Sequence, residues 1–238
     1  MLIVGLTGGI ASGKSTVSKE LSSTHQIPII DADLIARQVV EPGKPAYNKI
    51  TTEFADVPDL LLENGELNRP ALGRAVFGNK QRLAVLNGIT HPAVRQEIFW
   101  QLIDNYVRVK PVVVLDVPLL FEAGLDKICG VTISVSTSAE VQKARLQQRN
   151  PELSESEVDK RIASQMPMAE RNAKADIVID NNGSVDQLKQ TIATTIEKIT
   201  PSFWWTLFML TPFGWGWGLI SQVWRAALKP TPVKRKTQ

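Results

Sequence analysis

The chain has a single cysteine, Cys129, among 238 residues. That excludes an internal disulfide and suits a reducing compartment, with a buried free thiol as the expected state. No leader is expected either. The first apolar run, residues 2–6, is only a strand's length and feeds straight into a glycine-rich loop, so no N-terminal targeting signal is expected. Acids are absent from residues 225–238, where Arg225, Lys229, Lys234, Arg235 and Lys236 stand unopposed. With these five charges set aside, the formal +3 of the whole chain becomes −2 for residues 1–224. The body therefore lacks the clustered Lys and Arg of a nucleic-acid-binding surface, and no nucleic-acid partner is expected.

What is present suffices for an ordinary core: 43% hydrophobic residues, enough for one full-sized α/β domain with a small inserted lobe and a tail. Short aliphatic runs at residues 2–6, 27–30, 112–116, 131–135 and 177–179 alternate with helical stretches at 15–22, 34–40, 139–149 and 185–199. Apolar runs separated by helices predict a parallel sheet covered on both faces, an open, doubly wound, three-layer arrangement. Residues 47–108 contain almost no strand-like run and many helical periods, among them 70–77 and 80–87, which predicts a helical lobe inserted over a site. Residues 154–174 predict a second helical hairpin, rich in both signs of charge.

Gly8-Gly9-Ile10-Ala11-Ser12-Gly13-Lys14-Ser15, followed by Thr16, fits G-x-x-x-x-G-K-[ST] between an apolar strand and an amphipathic helix. Such a loop turns successive N–H groups toward a phosphate chain and adds the positive end of the following helix. Lys14 can then reach the β- and γ-phosphates of a nucleoside triphosphate and the Ser15 hydroxyl can ligate Mg²⁺. The Asn-Lys-x-Asp clamp for guanine is absent; Asp180-Asn-Asn-Gly183 has a D-x-x-G form but comes at the last strand. A GTPase is therefore not expected, and there is little room for the sensor domain of an oligomeric ATPase.

Asp31 and Asp33 stand just past the second strand, on the side where ligands collect in open α/β sheets. Two carboxylates there can take a proton from an acceptor hydroxyl and help hold Mg²⁺. Alternatively, Asp33 is no more than the N-cap of the helix expected to begin at Leu34.

Five blocks, "GLTGGIASGKST", "IDADLIARQVVEPG", "THP" at 90–92, "VPLLFE" at 117–122 and "ADIVIDNNG" at 175–183, occur in this order and at these spacings. Together they resemble the dephospho-CoA kinases, over roughly residues 1–199. The resemblance implies a P-loop kinase domain at 1–200 that phosphorylates the ribose 3′-hydroxyl of dephospho-CoA with ATP. The inserted lobe at about 47–108 would bind the acceptor, and a lid would span about 150–174. It also implies Asp33 as base, supported by Asp31, with Asp31 and Ser15 on the metal. Arg145 and Arg149 would close on the phosphates, with Arg161 and Arg171 as lid candidates. The resemblance puts Leu119, Phe121 and Glu122 against the acceptor, and His91 either on the substrate or fixing a turn; His25 has no counterpart and is expected at the surface. Another small-molecule P-loop kinase, or a tethered binding protein without activity, are the alternatives, and the oligomeric state stays open.

Composition changes at Pro201. Residues 199–224 carry no formal charge, and five of the six tryptophans fall between Phe203 and Trp224. As a helix that stretch would reach roughly 33 Å, enough to cross a bilayer core. Pro212 near its middle, three following glycines and the spread tryptophans favour an interfacial or hairpin segment instead. The basic residues 225–238 would then lie at an anionic cytosolic surface. A hydrophobic tail of this kind resembles the fungal forms of the enzyme. It implies the cytoplasmic face of the endoplasmic reticulum, a lipid droplet or the mitochondrial outer membrane; packing against the protein itself or a partner is the alternative.

Overall fold

The computed structural model describes residues 1–208 together with 211, 213, 214, 216, 217 and 220. The chain divides into two compact units, residues 1–29 with 108–238, and residues 30–107.

In the first unit, β1 (Leu2–Gly8), β3 (Val112–Asp116), β4 (Val131–Ser136) and β5 (Ile177–Asp180) pair in parallel. With β2 (Ile29–Asp31) at the edge the sheet order is β2-β3-β1-β4-β5. The register sets Leu6 beside Asp116 and Gly8 beside Val135, so the ends of three strands meet where the glycine loop leaves β1. Helices α1 (Lys14–Ser23) and α9 (Val185–Ile199) cover one face. Val4 and Leu6 of β1, Val112 and Val114 of β3 and Ile133 and Val135 of β4 pack there with Val17, Leu21, Leu188 and Ile192.

The opposite face is not uniformly apolar. Thr132 and Ser134 of β4 are fully buried on it and hydrogen-bonded: the Thr132 N–H and Oγ1 both donate to Asp176 Oδ2, and Ser134 Oγ donates to Asn172 Oδ1. These bonds dock α8 (Met168–Lys174) on the sheet and satisfy groups that would be costly to bury alone. At the edge of the sheet, β5 leaves Val178 exposed. Cys129 is buried beside Gly5, as expected for a free thiol.

After β4 come α6 (Ala139–Arg149) and α7 (Glu155–Ala163), followed by α8. α7 opens with a full capping box between Ser154 and Glu157.

The second unit holds α2 (Ala32–Gln38), α3 (Pro45–Glu53), α4 (Arg69–Val76) and α5 (Lys80–Val107). Val40, Ile50, Phe54, Leu60, Leu72 and Val76 form its core, against which Leu86, Ile89 and Ala93 of α5 pack. The helix expected over 80–87 continues through Pro92 to Val107, so the Thr-His-Pro run is helix interior and not a turn. Thr90 Oγ1 donates to the Leu86 carbonyl one turn back.

Only part of the expected apolar segment 201–224 is described, beginning with α10 (Phe203–Phe208), and the basic residues 225–238 lie outside the described residues. Among the described residues no helix is long and apolar enough to cross a membrane.

Candidate active site

Five residues carry the chain from Gly8 to Lys14, turning through Ala11 at φ +58° and Gly13 at φ +92°. Gly13 is the N-cap of α1 and supplies no side chain to it, and the first turn of α1 has no acid. Its leading N–H groups are thus left to an anion, helped by the helix dipole. A Cβ on Gly13 would stand 2.0 Å from Asn181 Nδ2, and one on Gly9 would stand 2.8 Å from Gln142 Nε2 and 3.0 Å from Arg171 Nη1. A Cβ at either position would force its neighbours to shift, and at Gly13 the left-handed backbone also favours glycine.

The loop is gripped from outside. The Ile10 N–H donates to Gln165 Oε1 and the Ile10 carbonyl accepts from Gln142 Nε2, both at 2.8 Å. Asn181 Nδ2 donates to the Ser12 carbonyl, also at 2.8 Å. Ile10 and Ala11 pack on Leu146, Leu153 and Val158, so α6 and α7 rest directly on the loop.

Charge gathers around this cradle. Lys14 Nζ is paired with Asp116 Oδ1, and the carboxylate is almost fully buried at the end of β3. Asp116 was not among the residues singled out from the sequence, although four apolar residues ending in an acid, "VVVLD", are the signal for it. Arg145 Nη1, Arg171 Nε and Ser12 Oγ are buried without hydrogen-bond partners. Arg171 is 2% exposed, and its Nη2 donates to the Met166 carbonyl at 2.7 Å. Burial pulls its pKa below the ordinary guanidinium value, and the Glu122 carboxylate opposes that shift. Buried polar atoms are normally satisfied, so three orphans around one anion-binding loop mark the place of a ligand rich in acceptor oxygens.

Ser15 and Thr16 are exposed in the first turn of α1. Among the described residues no three His, Cys, Asp or Glu side chains converge as a metal cage. Ser15 and Asp116 supply hard oxygens, a small set that fits Mg²⁺, which keeps its waters and takes its remaining ligands from phosphates.

Other expected residues fall as follows. Leu119 and Glu122 are exposed and Phe121 is half-buried, while Leu120 is buried beneath Gly5. Glu122 Oε1 accepts the Met166 N–H at 3.4 Å. Arg149 and Arg161 are exposed in the last turns of α6 and α7, whereas Arg171, the other arginine expected in the lid, is the one that reaches the loop. His25 is half-buried, not on the open surface. In the second unit, Asp31 caps α2: its Oδ1 accepts the N–H groups of Asp33 at 2.9 Å and Leu34 at 3.0 Å. The cap is therefore Asp31 and not Asp33, because α2 begins at Ala32; Asp33 is exposed with its carboxylate free of that duty. His91 is exposed on α5 and fixes no turn. A groove of about 460 Å³ runs between the α2–α3 connection and α5, lined by Gln38, Val39, Lys44, Gln96, Glu97 and Trp100 among others.

A family model described as dephospho-CoA kinase matches residues 2–187. The chain is 52% identical over 216 residues to dephospho-CoA kinase CAB5 of Saccharomyces cerevisiae, covering 90% of each. It is 47% identical over 201 residues to a dephospho-CoA kinase of Bacillus cereus, covering 83% of this chain and 96% of that one. The solved structure of a dephospho-CoA kinase from Campylobacter jejuni is similar with a TM-score of 0.65 at 30% identity, over 83% of this chain and 96% of the other.

Proposed function

The chain belongs to the dephospho-CoA kinase family, and on that premise we propose how its residues divide the reaction. The protein is a kinase that phosphorylates dephospho-CoA with ATP in coenzyme A synthesis. The γ-phosphoryl group of ATP goes to the ribose 3′-hydroxyl. Asp33 accepts the hydroxyl proton as the oxygen attacks Pγ; the new O–P bond forms, the bond to the bridging oxygen breaks, and its electron pair leaves with ADP.

The loop from Gly8 to Thr16 holds the triphosphate through its N–H groups. Lys14, which pairs with Asp116, offers its ammonium to the β- and γ-oxygens. Arg145 and Arg171 meet the charge spread over the transferring phosphoryl oxygens, a role suited to a planar and permanently charged group. Arg149 and Arg161 are the outer phosphate contacts. Ser15 and Asp116 would hold Mg²⁺, which when bound would neutralise phosphate charge. Asp31, with one oxygen committed to α2, fixes Asp33 and has less capacity for the metal than the sequence suggests. Leu119, Phe121 and Glu122 face the acceptor nucleoside, and His91 is an exposed acceptor contact. The groove on the second unit takes the pantetheine arm, with Gln38, Gln96 and Lys44 as amide partners and Trp100 as an apolar wall.

The observation that carries this reading is the set of buried, unpartnered polar atoms on Ser12, Arg145 and Arg171 around the loop. The test is incubation with ATP, Mg²⁺ and dephospho-CoA, with shikimate and gluconate as rival acceptors. Coenzyme A and ADP appearing in equal amounts support it. ADP release with a rival acceptor but not with dephospho-CoA refutes it.

We further propose that residues 201–238 attach the kinase to a membrane surface on the cytosolic side. The described part of the segment supports this with Trp204, Phe213 and Trp217 all more than half exposed, the aromatic, apolar display expected of an interfacial anchor. The Bacillus relative is matched over nearly its whole length by 201 residues, which supports a kinase domain that works without the tail.

A further inference from the structure

Gln165 lies between Ser164, which caps α7, and Pro167, which opens α8. It is only half-buried. Its side-chain carbonyl nevertheless reaches 155 positions back to accept the Ile10 N–H at 2.8 Å. The next residue, Met166, donates its N–H to Glu122 and accepts from the buried Arg171 through its carbonyl. One short connection thus touches the phosphate loop, the stretch after β3 and the buried arginine.

Peptide planarity shows what the grip on Ile10 does. In the Gly9–Ile10 peptide the N–H points to Gln165, so the Gly9 carbonyl points the other way and accepts the Ser12 N–H at 3.0 Å. In the Ile10–Ala11 peptide the carbonyl is held by the buried Gln142, which turns the Ala11 N–H the opposite way. Both planes flanking Ile10 are fixed from outside, just where Ala11 takes its positive φ.

We propose that Gln165 is a positioning residue for phosphoryl transfer. Together with Gln142 it sets the two peptide planes around Ile10, so the loop presents its N–H groups in working orientation only while the α7–α8 connection is seated on it. The inference rests on the dephospho-CoA kinase reading, and Gln165 itself touches no substrate. An interaction that matters for the geometry of transfer more than for holding ATP appears in kcat and not in KM.

The test compares Q165M, which keeps the length and loses the acceptor, with Q165E, which keeps an acceptor oxygen for the Ile10 N–H. Expected for Q165M is a kcat about tenfold lower, with the KM for ATP changed less than about twofold and the thermal midpoint near that of the unaltered protein. Q165E recovers most of the rate. A wild-type kcat in Q165M overturns the proposal. So does a Q165E rate as low as that of Q165M, or a raised KM for ATP with kcat unchanged. Q165A is read in the same way if Q165M fails to fold. Failure of the unaltered protein to make coenzyme A refutes the activity itself, a different result from any of these.

Discussion

Replacing Gly13 by alanine perturbs the loop at one carbon atom, with consequences that can be worked out in order. Alanine at φ +92° carries a left-handed backbone penalty of about 1–2 kcal/mol. Its Cβ would also stand 2.0 Å from Asn181 Nδ2, and ordinary contact begins at 3.4 Å, so the amide must retreat by about 1.4 Å. That retreat breaks the 2.8 Å bond to the Ser12 carbonyl in a buried setting, which costs about 1–3 kcal/mol. The sum is about 2–5 kcal/mol, or a fall in thermal midpoint of roughly 4–20 °C for a chain of this size. Asn181→Ala alone loses only the bond, about 1–3 kcal/mol. The double variant has no overlap left to relieve and no bond left to lose, so it should be no less stable than Gly13→Ala alone. The cycle therefore gives a coupling of about 1–3 kcal/mol, read by calorimetry on the four proteins with ATP affinity measured in parallel. Strict additivity, or a Gly13→Ala protein with unchanged midpoint and ATP affinity, would refute the close-approach account of this glycine.

Four further outcomes are expected. Asp33→Asn should lower kcat by about 10²–10⁴ while ATP still binds, as equilibrium binding beside turnover would reveal; near-normal transfer removes Asp33 as the base. Arg145→Ala should lower kcat by about 10²–10³, and Arg145→Lys should recover little of it, because an ammonium cannot reproduce the planar fork. The Glu157 pKa is held below its ordinary value by the Ser154 side chain and then by the Ser154 backbone. Its contribution to α7 is therefore complete above the ordinary glutamate pKa and lost as pH falls through the depressed one, so hydrogen exchange in α7, corrected for the intrinsic rate, should accelerate on acidification in that window, and Glu157→Ala should abolish the step. A chain stopped after residue 200 should keep its turnover but no longer float with anionic liposomes; equal flotation of the two lengths would sink the membrane proposal.

Much of the fold was legible because its signals are local. The apolar runs at 112–116 and 131–135 became β3 and β4, and the helices expected at 139–149 and 185–199 have those bounds in the structure. Of α5 only 80–87 stood out as a helical period, whereas the packing of Leu86, Ile89 and Ala93 on the second unit's core carries the helix on through Pro92. Among the acids, the sequence offered Asp33 as either base or N-cap, and only the start of α2 at Ala32 gives the cap to Asp31.

By itself the sequence determined the parallel α/β plan, the phosphate loop and the family. Each of these resides in contiguous residues whose periodicity or motif carries its own physics. Tertiary structure alone decided which side chains complete the loop. Lys14 meets Asp116 across 102 positions, Ile10 meets Gln165 across 155, and Ser12 meets Asn181 across 169. It also decided that Arg171 is buried against the loop while Arg161 stays in solvent, although both lie on short helices of the same charged stretch. Propensity and periodicity fix the conformation of a segment. The partner of a glutamine or the burial of an arginine depends on what packing brings alongside, and no local pattern encodes that.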